Sequence, residues 1–146
     1  MRILPPVVVV LGLLAMAALR LCAPLALVPP APWTWAGWAV ALLGLAITFG
    51  GAGLFRRTGT NIRTFDDPDV LVTGGPFRFT RNPMYLGFLL LLAGVALGLG
   101  AASPWIVPVV FWLLADRWYI PFEERAMRRT FGEAYEAYAR RVRRWV

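Results

Sequence analysis

Arg78, Arg81, Asn82 and Tyr85 surround Pro83 in the segment GPFRFTRNPMYLG, Gly75 to Gly87, which stands directly before a long apolar run. Guanidinium groups, a carboxamide and a phenol at this spacing can orient an anion and hydrogen-bond polar groups at the mouth of a helix. The proline suits the first helical position, Asn82 can cap it, and Tyr85 would direct its hydroxyl from the first turn into a bundle. Capping together with topological arginines would account for the same residues without chemistry. A second cluster, Asp116, Arg117, Glu123 and Glu124, brackets Pro121. Asp116 and Arg117 fall close to apolar runs, where charge is costly unless it pairs or lines a cavity. Glu123 and Glu124 suit a first helical turn, and as adjacent carboxylates they suit a cationic or hydroxyl-rich ligand.

The residue inventory removes several chemistries. All fifteen basic residues are arginine, so the net charge of +7 does not include a Schiff-base lysine. Histidine is absent, and Cys22 is the single cysteine. No imidazole base, haem ligand, disulfide or Cys/His metal site can be assembled from one such chain, and no metal is expected.

The elements that must position these clusters are hydrophobic. With 59% hydrophobic side chains over 146 residues and a mean hydropathy of +0.62, the chain exceeds an ordinary soluble domain in apolar content. It is read as a single membrane domain. Four apolar spans are predicted, at 3–28, 33–55, 83–100 and 104–122, with a polar loop at 56–82 and helices at 123–146. Arg20 and Pro24 interrupt the first span late, and Arg20 is expected to snorkel toward headgroups. Trp33, Trp35 and Trp38 open the second span as an interfacial belt. Turn signals in the loop are Asp66-Asp67-Pro68 and Gly74-Gly75-Pro76. Gly94 and Gly98 fit close helix packing better than phosphate binding.

Arginines gather at Arg2, between Arg56 and Arg81, and beyond Phe122, whereas the connections at 29–32 and 101–104 carry none. The positive-inside rule places both termini and the central loop in the cytoplasm, and the chain is expected in a bacterial inner membrane. Arginines beside hydrophobic spans point to lipid headgroups and topology rather than to nucleic acid. Beyond Pro121, Phe131, Tyr135, Tyr138, Val142 and Trp145 recur at steps of four and three, giving a helical segment with an aromatic face and an arginine face, with Glu136 and Arg140 as an i,i+4 pair. The fold class is therefore all-α integral membrane, with four transmembrane helices and a cytoplasmic amphipathic C-terminal helical segment. Both polar clusters then lie on one side of the membrane and form a composite pocket.

GPFRFTRNPMYLG, the doublet Glu123-Glu124 and FGEAYEAYARRVRRW, Phe131 to Trp145, resemble in that order the isoprenylcysteine carboxyl methyltransferase and phospholipid N-methyltransferase superfamily of intramembrane enzymes. The resemblance covers the chain from Gly75 onward. It implies an S-adenosylmethionine site in which Arg81, Pro83 and Tyr85 match the family segment Arg-His-Pro-x-Tyr, with Glu123 and Glu124 holding polar parts of the cofactor. Asn82 stands where histidine is usual and cannot titrate. Tyr135, Tyr138 and Arg144 resemble the family tail, which would close over the cofactor.

Methyl transfer from a sulfonium needs an in-line nucleophile and exclusion of water. Arg81 or Arg117 would orient a carboxylate acceptor, and an amine would lose a proton to Glu123 or Glu124 through water. The missing histidine favours an oxygen acid or thiol. The acceptor is expected to be lipophilic: an isoprenoid, a lipid or a similar small molecule. Other readings are a small four-helix transporter, a non-catalytic lipid-binding protein, and an NADPH-dependent membrane reductase similar to the sterol reductases.

Overall fold

Proline and glycine set several of the points where helices begin or end. The computed structural model describes residues 3–27, 32–58 and 70–146, and among these every regular element is helical. The expected connection at 29–32, up to residue 31, and the Asp66-Asp67-Pro68 turn lie outside the described residues, and Pro32 already belongs to the second helix. Helix α1 spans Pro5–Cys22 and starts on a proline pair. It stops well short of residue 28 because Pro24 holds the preceding Ala23 out of the helical region, at φ −142°. Helix α2, Pro32–Thr58, runs three residues further than the apolar pattern, into the arginine-rich segment. Helix α3, Pro83–Leu99, ends on Gly100, whose φ of 61° is the left-handed cap that glycine adopts without strain.

From Ser103 the chain follows a nearly unbroken helical path. A 3-10 turn, Ser103–Trp105, leads into α4, Ile106–Leu114, then a π-helical stretch, Ala115–Tyr119, and α5, Ile120–Arg141. The sequence places a boundary near Phe122, but the helix passes straight through Pro121. The π stretch explains this: the Ile120 N–H reaches back to the Ala115 carbonyl, widening the turn just ahead of the proline ring. The direction changes later, at Gly132, whose φ of 50° and ψ of −122° break the helical geometry.

Helices α2 and α3 meet through backbone. A Cβ added to Gly44 would lie 2.5 Å from the Gly87 carbonyl oxygen, one on Gly37 2.7 Å from that of Gly94, and one on Gly94 2.5 Å from that of Gly37. Only glycine permits such an approach. Helix α1 is bound more loosely, with Pro5, Val9 and Met16 buried. Its ends are tied: the Tyr119 hydroxyl donates to the Ile3 carbonyl at 2.8 Å, and Arg20 Nε donates to the Leu99 carbonyl at 2.9 Å. Arg20 thus satisfies a carbonyl at the end of α3.

Met16, Leu92, Phe111 and Ile120 centre the main core, and Val72, Phe77, Tyr135 and Tyr138 form a second one at the polar end. Much apolar surface stays uncovered, including Leu14, Leu21, Leu42, Phe49 and Ile106. Among the described residues, two helices are long and apolar enough to cross a membrane, Pro5–Cys22 and the Pro32–Leu54 part of α2; α3 is apolar but shorter.

Candidate active site

The segment before α3 is fixed in three steps. Gly75, at φ 56°, opens a 3-10 turn, Gly75–Arg78, that buries Phe77. The Thr80 hydroxyl then accepts from the Asn82 backbone N–H at 3.1 Å. Pro83 starts α3, as the sequence suggests, but the Asn82 side chain does not cap it. Its amide instead donates to the Arg144 carbonyl at 2.9 Å, joined by the Thr80 hydroxyl at 3.1 Å, while the Arg81 backbone N–H donates to the Arg143 carbonyl at 2.9 Å. Residues 142–146 therefore lie along Thr80–Asn82.

The carboxylates come from α5. Tyr85 donates its hydroxyl to Glu123 Oε1 at 2.8 Å, and its buried ring stacks 6.1 Å from that of Tyr119. Arg81 Nη2 donates to Glu124 Oε1 at 3.1 Å. Arg144 grips Glu124 with both ends of its fork, Nε to Oε1 at 3.1 Å and Nη2 to Oε2 at 2.9 Å. Arg128 Nη1 adds a longer contact at 3.8 Å. The Glu124 side chain is only 6% exposed, so these cations replace the water it has lost. Arg144 also donates Nη1 to Asp116 Oδ1 at 3.2 Å, and the Trp145 indole N–H donates to the same oxygen at 3.0 Å.

The break at Gly132 folds the second half of α5 back. Arg128 and Glu136 pair across it at 2.8 Å, and the Arg128 guanidinium stands 5.7 Å from the centre of the Tyr135 ring. Tyr138 donates its hydroxyl to the Phe77 carbonyl at 2.7 Å. Burial raises the Tyr138 pKa to about 12, helped by the neighbouring Tyr135. Tyr135 is pushed up as well, first by burial and then by the Glu124 charge, against the pull of Arg81, Arg128 and Arg144. Both phenols stay neutral near pH 7. The Arg144 guanidinium is held above its usual value chiefly by its hydrogen bonds to Glu124, with burial opposing.

Arg81, Asn82, Pro83, Tyr85, Glu123, Glu124, Tyr135 and Tyr138 line one cavity, whose apolar part is supplied by Leu71, Val72, Phe77, Met84 and Met127. Arg144 enters through its bonds to Glu124. Arg117 does not join them: its side chain is 78% exposed and lies 3.7 Å from Asp116 on the outer face of the π stretch. Among the described residues, Arg81 Nε is the one buried side-chain nitrogen or oxygen without a hydrogen-bond partner. Groups of acidic, cysteine or histidine side chains able to hold a metal are absent among the described residues.

Thr80 is the polar residue beside the site that sequence reasoning does not single out, and Asp116, read as part of the second cluster, has partners that it does not foresee. Asp116 carried a signal, a charge beside an apolar run that demands a partner, but its partners stand 28 and 29 residues away. Nothing in the sequence marks Thr80.

The family model for phospholipid methyltransferase matches residues 32–134. The chain belongs to this family. A rice protein (Oryza sativa subsp. indica) named "Probable protein-S-isoprenylcysteine O-methyltransferase" is 32% identical over 117 residues, covering 72% of this chain and 60% of the relative. The phosphatidyl-N-methylethanolamine N-methyltransferase of Saccharomyces cerevisiae is 34% identical over 95 residues, covering 62% of this chain and 46% of the relative. An uncharacterized protein of Haemophilus influenzae is 36% identical over 63 residues, its whole length and 43% of this chain. The chain thus spans about 60% of the length of the rice relative. No solved structure matches the chain significantly. Family membership and the two long apolar helices together support an integral membrane protein.

Proposed function

We propose that this family member is an integral membrane S-adenosylmethionine-dependent methyltransferase acting on a lipophilic acceptor at the cytoplasmic face. The observation that carries this reading is the meeting of Arg81 and Tyr85 with Glu124 and Glu123 in one cavity where the apolar bundle ends. In this reading all four apolar segments cross the bilayer, the third and fourth close to the minimum length, and the segment from 123 onward lies at the cytoplasmic surface of a bacterial inner membrane.

The chemistry of the lining suits the cofactor. Carboxylates and a phenol suit a cation, an apolar patch with two methionines and three aromatic rings suits a flat base, and the partnerless Arg81 Nε can donate to a carboxylate. S-adenosylmethionine, when bound, supplies an electrophilic methyl group on a sulfonium. Glu123 and Glu124 would hold its cationic end, with Arg81, Asn82, Pro83, Tyr85, Tyr135, Tyr138 and Arg144 completing the enclosure. In this reading Arg81 and Glu124 would stand nearest the chemistry. Arg81 would orient an acceptor carboxylate, already nucleophilic at neutral pH, and Glu124 would draw a proton from an amine through water. Arg117 serves at most at the outer rim. Exclusion of water by the docked segment 142–146 would supply much of the rate without a covalent protein intermediate.

The acceptor is an isoprenoid or lipid-like molecule offering a carboxylate, thiol or amine. The names of the relatives span two such classes, an isoprenylcysteine oxygen and a phospholipid amine nitrogen. Calorimetric titration of detergent-purified protein with S-adenosylhomocysteine, and separately with NADPH, tests the reading. Saturable binding of the first, weakened in Glu124→Ala and Tyr85→Phe, is expected; no binding of it by the wild type would sink the reading, and NADPH binding in its place would point to a reductase.

A further inference from the structure

The cavity has the lining of a ligand site but not its size. Its free volume is about 60 Å³, whereas sites for drug-sized ligands span roughly 300–1,000 Å³. On the polar side the chain itself stands against the cavity, through the bonds of Arg144 to Glu124. Residues 142–146 occupy the approach to Glu124, and they are held in two separate ways. The backbone is docked by the Arg81 N–H, the Thr80 hydroxyl and the Asn82 amide, all donating to the carbonyls of Arg143 and Arg144. The side chains are docked by carboxylates: Arg144 on Glu124 and Asp116, Trp145 on Asp116.

We propose that segment 142–146 is a strap shut by self-pairing, that Asp116 is the positioning residue holding it shut through Arg144 and Trp145, and that a cationic ligand enters by replacing the Arg144 guanidinium on Glu124. The proposal rests on the methyltransferase reading for the identity of that cation, the ammonium group of the cofactor. Charge makes the exchange feasible. A buried carboxylate stripped of its cations is strongly unfavourable, but one cation substituting for another leaves Glu124 paired throughout. Asp116 is not among the residues that line the cavity; apart from its 3.7 Å contact with the exposed Arg117, its bonds go to the strap. Asp116 stands in the π stretch and faces the strap, while its neighbour Arg117 faces outward. Asn82 fits the same picture. In the position where the resemblance has a titratable imidazole, this chain carries a permanent amide donor, and that donor is spent on the strap carbonyl.

Two measurements on the full chain in detergent separate the strap from its proposed ligand. The first needs no cofactor: hydrogen exchange of the Arg81 amide, whose N–H donates to the Arg143 carbonyl, is followed in wild type, Asp116→Ala and Trp145→Phe. Loss of a charge-assisted hydrogen bond predicts exchange about tenfold faster in Asp116→Ala and a smaller increase in Trp145→Phe. Unchanged exchange in both variants would overturn the strap. The second is stopped-flow association of S-adenosylhomocysteine, which retains the ammonium group. The association rate should rise in Asp116→Ala by a similar factor, with dissociation also faster. Faster exchange with an unchanged association rate would show a strap that does not gate the ligand, overturning the proposal. No binding by the wild type would instead refute the methyltransferase reading and leave the exchange result to decide the strap. Trp145→Phe keeps the aromatic packing and serves if Asp116→Ala fails to fold.

Discussion

The Tyr138 hydroxyl donates to the Phe77 carbonyl at 2.7 Å, joining the folded-back end of α5 to the turn that precedes α3. Sixty-one residues separate the two, and the bond is buried. With Val72 and Tyr135 they form a core of their own at the polar end of the molecule.

This bond makes the docking of α5 sensitive to alkali. The Tyr138 pKa is raised from 10.0 to about 12 by burial and by Tyr135. A raised pKa means the folded state favours the neutral phenol, so the contribution is whole below pH 10 and is lost as pH climbs through about 12. Tyrosinate absorbance should show a late-titrating phenol, absent in Tyr138→Phe, whose ionisation coincides with exposure of the second core. Ionisation of every tyrosine near pH 10 would contradict the burial of this one.

Glu124 carries the pairing of Arg81 and Arg144, so its removal should cost more than a cavity. Glu124→Ala leaves the enclosed Arg81 guanidinium without its carboxylate and Arg144 with Asp116 alone, and about 3–5 kcal/mol of stability is expected to go with it. Glu124→Gln keeps one acceptor oxygen and should lose less. Thermal unfolding in a single detergent orders wild type, Gln and Ala.

The glycine seam predicts a contrast between two chemically identical substitutions. Gly94→Ala drives a methyl group onto the backbone of Ala41 and the Gly37 carbonyl, with no side chain able to move aside. Overpacking of this kind costs about 1–3 kcal/mol. Gly50→Ala, on the partner helix α2 but with nothing within 4 Å, should be neutral or slightly stabilising. Paired melting curves of the two variants check the seam.

Gly132 needs its conformation rather than its small size. A Cβ there meets nothing within 4 Å, yet φ is 50° and ψ −122°, a region nearly closed to other residues. Gly132→Ala should cost about 1–3 kcal/mol or straighten α5 and withdraw Tyr135 and Tyr138 from the site. Crosslinking between cysteines placed at Phe77 and Tyr138, in a Cys22→Ser background, would fall if the helix straightens.

Asn82→Asp removes one hydrogen bond without changing shape. The amide that donates to the Arg144 carbonyl becomes a carboxylate facing that carbonyl, and a buried acceptor without a donor costs about 1–3 kcal/mol. Proteolysis should remove residues 142–146 faster from Asn82→Asp than from wild type.

The site was partly legible because prolines and charges are local signals. Pro83 marks the start of α3, and Glu123 and Glu124 stand out as paired carboxylates beside apolar runs, so the two clusters can be read and the family resemblance drawn from them. Family membership bears that resemblance out. Pro121 misled: a proline predicts a boundary when the helix is assumed to be α, and a five-residue π turn that absorbs it leaves no mark in composition. Asn82 misled in a similar way, since its position invites capping while its actual partner is a backbone carbonyl 62 residues on. Hydrogen bonds to distant carbonyls carry no residue-type code. Arg117 shows the same limit, because one helical step decides whether a charge faces the cavity or the surroundings.

The backbone contact between α2 and α3 has a mechanical consequence. Two helices touching through glycine have no rotamers between them to act as a cushion, so they form a stiff mast, and Pro83 and Tyr85 at its tip cannot tilt independently of α2. Helix α1, tied at Ile3 and Arg20, resembles a stay alongside the mast, and α5 is the boom, with its elbow at Gly132. Compliance therefore has an address: any opening that admits a ligand swings the α5 side, while the Arg81 side stays put as the fixed reference.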